Sequence, residues 1–420
     1  MKNLSLNLAK ADVFSQVLLF LALASAGVKW IPIINVSNIA LEVSNIVQLM
    51  LIFLFFPILL KRNDFIFRSS FTFNYLLTFI FFMAVAIVYR SQSDAVGIVR
   101  LSLFSLLSSY VLVNIDPKAL LNSKVVVPGA LASFILLILI SFYLADKSFL
   151  LSVYSYFITF DRSEFLYGSF RPALNAFNGP TEMAKAVYLA SNINPISSVF
   201  ALLFILSGAL SFKFGWPMFI CAIISLSFAL LLFSLSAVLI CALVSIVYIA
   251  RYLRNIELTY PRLVIIFVVL AVTLIVSGPL ISFGYSAVVD NAASNGHRIW
   301  QYAQSLQLLN ETPFWGPGYI LIDGHQIHNL FFFSWISGGV LMCLGAIGIY
   351  LMAFFIMFEG IYGALIKGSP KIEYLLMAAL PILFLVRCSV GGAGGLPVGS
   401  ASLAVALAVL ARKNIHDMLD

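Results

Sequence analysis

The feature that most constrains this chain is the recurrence of unbroken apolar stretches about as long as a bilayer is thick. The stretch from Leu263 to Phe283 is representative: it carries no charge, and its polar side chains are Thr273, Ser277 and Ser282. A helix that crosses the hydrocarbon core needs about 20 such residues. Over 420 residues, 62% are apolar and 10% charged, with a mean hydropathy of +1.05. Soluble domains carry about a quarter charged residues, so a water-soluble fold is excluded. A transmembrane barrel would alternate apolar and polar positions in short segments, and these stretches are continuous. The expected fold class is therefore all-α: a polytopic helical membrane protein, read as a single integral domain over 1–420 with no internal repeat. Spans are predicted at 12–30, 39–60, 71–89, 95–114, 125–145, 182–210, 215–232, 235–250, 263–283, 328–357, 373–388 and 398–411. That makes about 12 helices, or about 11 if 215–250 is one long broken helix rather than a hairpin.

Basic residues set the expected orientation. With the N-terminus inside, Lys2, Lys10, Lys61, Arg62, Arg68, Lys118, Lys124, Lys213, Arg251, Arg254, Arg262, Lys367, Lys371, Arg412 and Lys413 all fall on inner segments. This is the positive-inside bias of a cytoplasmic membrane protein, with both termini cytoplasmic. It also accounts for the net charge of +7, so no nucleic-acid partner is inferred. Lys2 and Lys10 ahead of an apolar run could serve a signal peptide, but in so hydrophobic a chain an uncleaved first span fits better. Cys221, Cys241, Cys343 and Cys388 sit in apolar stretches and read as small buried hydrophobes, not as a disulfide framework.

Two outer loops are long, at 146–181 and 286–327. Long loops in compact proteins are functional or disordered, and these carry aromatics, prolines and isolated charges. Three of the four histidines, His297, His325 and His328, lie in or beside the second. In the first, Thr181 suits a helix N-cap with Glu182 in the first turn. Arg100 and Arg387 fall inside apolar spans near their outer ends. A charge at a span's centre costs about 2.5–3.5 kcal/mol, so these arginines should face a cavity, an anion or a carboxylate such as Glu42.

Arg298-x-Trp300, then Pro313-x-x-Gly316-x-Gly318, then His328-Asn329 followed by Gly338-Gly339 resemble the shared signature of bacterial O-antigen polymerases and O-antigen ligases. Upstream, Arg171 followed by Asn178-Gly-Pro180 is similar to the arginine-then-Asn-Pro pattern of that group. The resemblance covers roughly residues 165–350. One departure stands out: many members carry an arginine where this chain reads Ala237 after Ser234-Leu-Ser236.

The resemblance implies transfer of a glycan from undecaprenyl diphosphate to a sugar hydroxyl outside the cytoplasmic membrane, without metal or other cofactor. Its partners are the lipid-linked donor and acceptor and the membrane lipid, with room for a chain-length regulator. The leaving diphosphate calls for multidentate, permanently charged donors, a role suited to Arg171 and Arg298. The attacking hydroxyl calls for a base neutral near pH 7, a role suited to His328, with Glu182 as an alternative base or arginine partner. His325, Asn329, Tyr319, Trp300, Arg100 and Arg387 are the candidate substrate contacts.

Plainer readings stand beside these. His328 could anchor a helix end, and His325 with His328 could bind zinc, although no third ligand is suitably spaced. Arg171 and Arg298 could make loop salt bridges, and Arg100 could snorkel to the interface. Trp300, Trp315 and Tyr319 could form an interfacial aromatic belt. A polymerase is favoured over a ligase that moves finished polymer to lipid A-core. A polysaccharide flippase or other secondary transporter is the alternative of a different class, and the clustering of ionisable residues in two outer loops argues against it.

Overall fold

The computed structural model describes residues 16–24, 32–36, 39–42, 49–50, 53, 112, 117–145, 193–231, 234–254, 292–317, 327, 329–391 and 396–417. Nearly all of these are helical. Residues 16–24 form a helical stretch. A short hairpin follows, β1 (Pro32–Val36) pairing antiparallel with β2 (Ile39–Glu42), with Val36 opposite Ile39. A span beginning at residue 39 is thereby corrected: β-branched Ile33, Ile34, Val36 and Ile39 around Ser37-Asn38 favour paired strands and a tight turn.

The helices are α1 (Lys118–Asn122), α2 (Val126–Ala145), α3 (Ile193–Phe214), α4 (Trp216–Leu231), α5 (Leu235–Arg254), α6 (Ala292–Glu311), α7 (Leu330–Ile361), α8 (Ile372–Gly391) and α9 (Leu396–Asp417). Among the described residues, four segments are long and apolar enough to cross a bilayer: Ile196–Phe214, Ser236–Arg254, Leu330–Ile366 and Ile372–Val390. The 215–250 region is two helices with Ser234 between them, not one broken helix.

The core lies around α3 and α8, which are apolar on nearly every face and buried along most of their length. In hydrocarbon, helices associate through close packing and interhelical hydrogen bonds rather than a hydrophobic driving force. The contacts here are of that kind. Phe200 of α3 stacks on Phe228 of α4 at 4.8 Å and meets the edge of Phe134 of α2 at 5.0 Å. Tyr248 of α5 lies against Gly208 of α3 and donates its hydroxyl to the Ile205 carbonyl. Near its end, α7 brings Gly360 against the backbone of Met377 and Ala378 in α8, so these two helices run antiparallel and close.

One end of the bundle collects the basic residues. Lys213 caps α1 by donating to the Leu121 carbonyl (2.8 Å) and to Asn122 Oδ1 (2.7 Å). Arg251 donates to the Ala364 carbonyl (3.0 Å), and the Arg254 guanidinium lies against Gly368. Lys413 of α9 pairs with Glu359 of α7. Burial works against the Lys413 ammonium, but the hydrogen bond and charge of Glu359 outweigh it and raise the pKa.

Two further expectations change. The 286–327 stretch is not loop throughout: Ala292–Glu311 is a 20-residue helix, built from good helix formers (Ala, Gln, Leu) despite a polar composition that hides it from a hydropathy reading. And the 328–357 span is not straight. Gly338 and Gly339 leave helical geometry, Gly339 with φ 68°, splitting α7 into Leu330–Ser337 and Val340–Ile361.

Candidate functional site

The break in α7 shapes the site. Asn329 Nδ2 donates to the Ser389 carbonyl (3.1 Å), and the Tyr350 hydroxyl lies 3.2 Å from Ser389 Oγ. In a straight helix, residues 329 and 350 would stand roughly 30 Å apart at 1.5 Å per residue. Both reach the same residue, so the chain doubles back at Gly338–Gly339. The first limb, Leu330–Ser337, is about 12 Å long, too short to cross a bilayer. It carries Asn329 back toward the last turn of α8. The second limb, about 33 Å long, is the one that spans.

The turn is locked from outside by the segment after α6. The Phe314 carbonyl accepts from the Val340 N–H (2.9 Å), a donor that the helix break leaves without an intrahelical acceptor. The Pro313 carbonyl accepts from Trp335 Nε1 (2.8 Å). Gly316 has φ 69°, and a Cβ there would meet the Trp335 and Ile336 carbonyl oxygens. A Cβ on Gly339 would likewise meet the Phe314 carbonyl and the Trp315 backbone. The Pro313-x-x-Gly316 and Gly338-Gly339 parts of the signature therefore interlock, backbone against backbone.

Inside this turn, polar groups converge on the end of α8. Arg387 is 4% exposed, and its NH1 donates to Ser236 Oγ (3.3 Å) in the first turn of α5. Ser236 Oγ is 2.8 Å from Ser234 Oγ at the start of that helix. Two residues on, Ser389 joins Asn329 and Tyr350. Asn329 is also the N-cap of α7, its side-chain oxygen accepting from Phe331 N (2.8 Å) and Phe332 N (3.3 Å). The N-terminus of α5, through Ser236 and Arg387, and the N-terminus of α7, through Asn329 and Ser389, thus both abut the last turns of α8. Helix N-termini carry partial positive charge and unpaired N–H donors, so the cluster is chemically disposed toward an anion. Over it lies α6, with Tyr302 stacked on Phe332 at 5.4 Å. The inward face of α6 is polar: Gln301 and Ser305 are fully buried, and neither carboxamide atom of Gln301 has a hydrogen-bond partner.

Among the sequence-predicted site residues, Asn329 and Arg387 both lie at this end of α8, Asn329 against Ser389 and Arg387 against Ser236. Trp300 is on α6 with 43% of its surface exposed, on the side away from the cluster. Arg298 is on α6, three residues before Gln301 and four before Tyr302, so the helical repeat puts position 298 on the inward face; its side chain lies outside the described residues. His328, His325, Tyr319, Arg171, Glu182 and Arg100 also lie outside them. Position 328 is bracketed by buried Ile327 and by Asn329. The described partner of Arg387 is a hydroxyl, and the Glu42 side chain lies outside the described residues.

The residues that sequence reasoning missed are Ser234, Ser236, Gln301, Tyr302, Tyr350 and Ser389. A serine pair before an apolar helix is an N-cap signal that could have flagged the first two. Tyr350 and Ser389 are single polar residues in apolar spans, with no local pattern to mark them.

Compared with protein-family models and with curated proteins, the sequence matches none.

Proposed function

We propose that this chain is an O-antigen polymerase: a membrane glycosyltransferase that moves a glycan from undecaprenyl diphosphate to the terminal sugar hydroxyl of another lipid-linked repeat. In this reading it spans the bacterial inner membrane about 12 times, with both termini cytoplasmic and the Asn329–Arg387 cluster on the periplasmic side. The observation that carries the reading is that buried Arg387, against the N-terminus of α5, and Asn329, at the N-terminus of α7, both lie at the same end of α8, the end of the bundle opposite Lys213, Arg251 and Lys413.

The chemistry follows from charge and protons. The acceptor oxygen attacks the anomeric carbon as the bond from that carbon to the diphosphate oxygen breaks, and the bonding pair leaves with the diphosphate. That group gains negative charge in the transition state, where a fixed guanidinium and oriented helix ends stabilise it most. Arg387 supplies a guanidinium beside Ser236, the helix turn in which Ala237 replaces the arginine of the resembling families. Arg298 and Arg171 bind the diphosphate from the loops. His328, next to the Asn329 cap, takes the proton of the attacking hydroxyl, with Glu182 as alternative base. Asn329, whose carboxamide is held by Ser389 and two backbone N–H groups, fixes the start of the helix that presents position 328.

A ligase uses the same donor chemistry with lipid A-core as acceptor. The doubled-back α7 gives a transporter its own specific support, since transporters build sites from discontinuous helices. One polysaccharide gel of a deletion strain separates the three. Loss of a polymerase leaves core bearing a single repeat, and loss of a ligase leaves bare core with lipid-linked polymer. Loss of a flippase leaves bare core with unextended lipid-linked repeat. In complementation, His328→Ala, Arg298→Ala and Arg387→Met should each insert normally yet abolish long chains. Normal ladders from all three would defeat the assignment.

A further inference from the structure

Helix α6 is inside out for a helix facing water. Its buried face carries Gln301 and Ser305 together with Leu309, whereas Ile299 (69% exposed), Ala303 and Leu306 (52%) line the opposite side at helical spacing. The chain then turns at Thr312, and the next two side chains outward are Phe314 (71%) and Trp315 (69%). Their backbone is fastened to Gly339 and Val340, exactly where the spanning limb of α7 begins. That limb exposes Leu341, Leu344, Gly348, Leu351, Phe355 and Phe358 in a 3-4-3-4-3 rhythm, a single stripe along one side of the helix. The turn after α6 is thus fastened where this stripe begins.

We propose that α6 and the Phe314–Trp315 turn are seated in the bilayer, at the boundary between headgroups and acyl chains of the leaflet nearer the Asn329–Arg387 cluster. Three observations select lipid as the occupant. The Phe314–Trp315 turn is fastened at the head of the outward apolar stripe of a span, whose surroundings are acyl chains. It ends in a tryptophan and a phenylalanine, side chains suited to the interfacial zone. Its polar limit is in place too: Gln307, Asn310 and Glu311 are exposed around the C-terminal turn of α6, as an edge meeting headgroups or water requires. The inference rests on the membrane location alone and is independent of the reaction catalysed. Its consequence is a site with one wall in lipid: the inward face of α6 looks onto the cluster while its outward face meets the hydrocarbon, so a lipid-borne substrate could pass beneath or beside α6 without crossing water.

The test is depth measurement on the full chain reconstituted in phosphatidylcholine nanodiscs. Spin labels are attached through Leu306→Cys, Phe314→Cys and Glu311→Cys, each in a background with Cys221 replaced. Collision rates with oxygen, which concentrates in lipid, are compared with those of a water-soluble nickel chelate. The ratio of oxygen to nickel collisions should be severalfold higher at 306 and 314 than at 311. Equal ratios, with nickel reaching all three, would overturn the proposal. So would labels at 306 and 314 shielded from both reagents, the result expected if a second copy or another protein covers this face. If a label at 314 prevents folding, loss of tryptophan emission in brominated phosphatidylcholine gives an independent reading: Trp315→Phe should remove a large part of the quenchable signal, and an unchanged quenchable fraction counts against lipid seating.

Discussion

Replacing Gly339 with alanine tests the interlock between the Pro313–Gly316 segment and the bend of α7. Two costs add at this position. An L-residue forced into the left-handed region costs about 1–2 kcal/mol, and φ at Gly339 is 68°. The new Cβ would also collide with the Phe314 carbonyl and the Trp315 backbone, so the segment must withdraw. The Val340 N–H, 2.9 Å from that carbonyl, then loses its acceptor, and a buried unpaired donor costs about 1–3 kcal/mol. Together roughly 2–5 kcal/mol is expected. The protein carries its own control. Gly215 shares a positive φ (71°) but has open space where a Cβ would go, so Gly215→Ala should cost backbone strain without a collision, about 1–2 kcal/mol. Both variants, with wild type, would be unfolded reversibly from mixed micelles by increasing dodecyl sulfate, followed by tryptophan fluorescence. Gly339→Ala should be the more destabilised by about 1–3 kcal/mol. Equal destabilisation would refute the interlock, leaving the two glycines as a turn that the loop merely passes.

Other parts of the fold give sharper single outcomes. Tyr248→Phe removes the hydroxyl donated to the Ile205 carbonyl and should cost about 0.5–1.5 kcal/mol. Gly208→Ala places a methyl 2.5 Å from a Tyr248 ring carbon and should cost about 1–3 kcal/mol, both by the same unfolding assay. Lys413 has its pKa raised above the ordinary 10.5, so its pairing with Glu359 contributes fully below that value and is lost as pH climbs through the folded value. The stability difference between wild type and Lys413→Met should therefore stay level from neutral pH to about 10 and shrink above it; a difference that collapses near neutrality would contradict this. For orientation, a cysteine in Glu311→Cys should react with an impermeant maleimide on intact spheroplasts, and one in Lys371→Cys only after permeabilisation. The reverse pattern would invert the proposed topology.

What the sequence made legible depended on whether a signal was repeated along one helix. α5, α8 and the spanning part of α7 each repeat their apolar character for five turns or more, so their positions could be predicted within a few residues. At α3 and α5 the predicted ends fell short at 210 and 250, because Ser211, Phe212 and Lys213, and Arg251 to Arg254, continue the helix past its apolar run. Lys213 and Arg251 stay helical because their long side chains reach carbonyls on neighbouring segments, a tertiary reward that no local window contains. α6 was hidden for the opposite reason. Its average polarity is that of a loop, and its buried face is the polar one, so hydropathy and amphipathicity both misdirect. The fold of α7 upon itself was spelled out by Gly338-Gly339, yet two glycines in an apolar run could equally have been packing residues. Only the Phe314 carbonyl arriving from elsewhere decides between them.

The same reasoning divides the signature residues by role. Pro313, Gly316, Gly338 and Gly339 are accounted for by backbone geometry alone, and Asn329 by the two N–H groups it caps and the Ser389 carbonyl it holds. Their spacing therefore reports how an outer segment, a bent helix and the end of α8 are held together, whatever reaction occurs there. Arg387 differs in kind: its guanidinium is 4% exposed, with NH1 on Ser236 Oγ, and a charge taken out of water is costly unless it is paired. His328, the proposed base, lies outside the described residues. In the proposed reading the chemistry falls to these two residues. The glycines and proline, by contrast, shape the backbone that holds these segments in place.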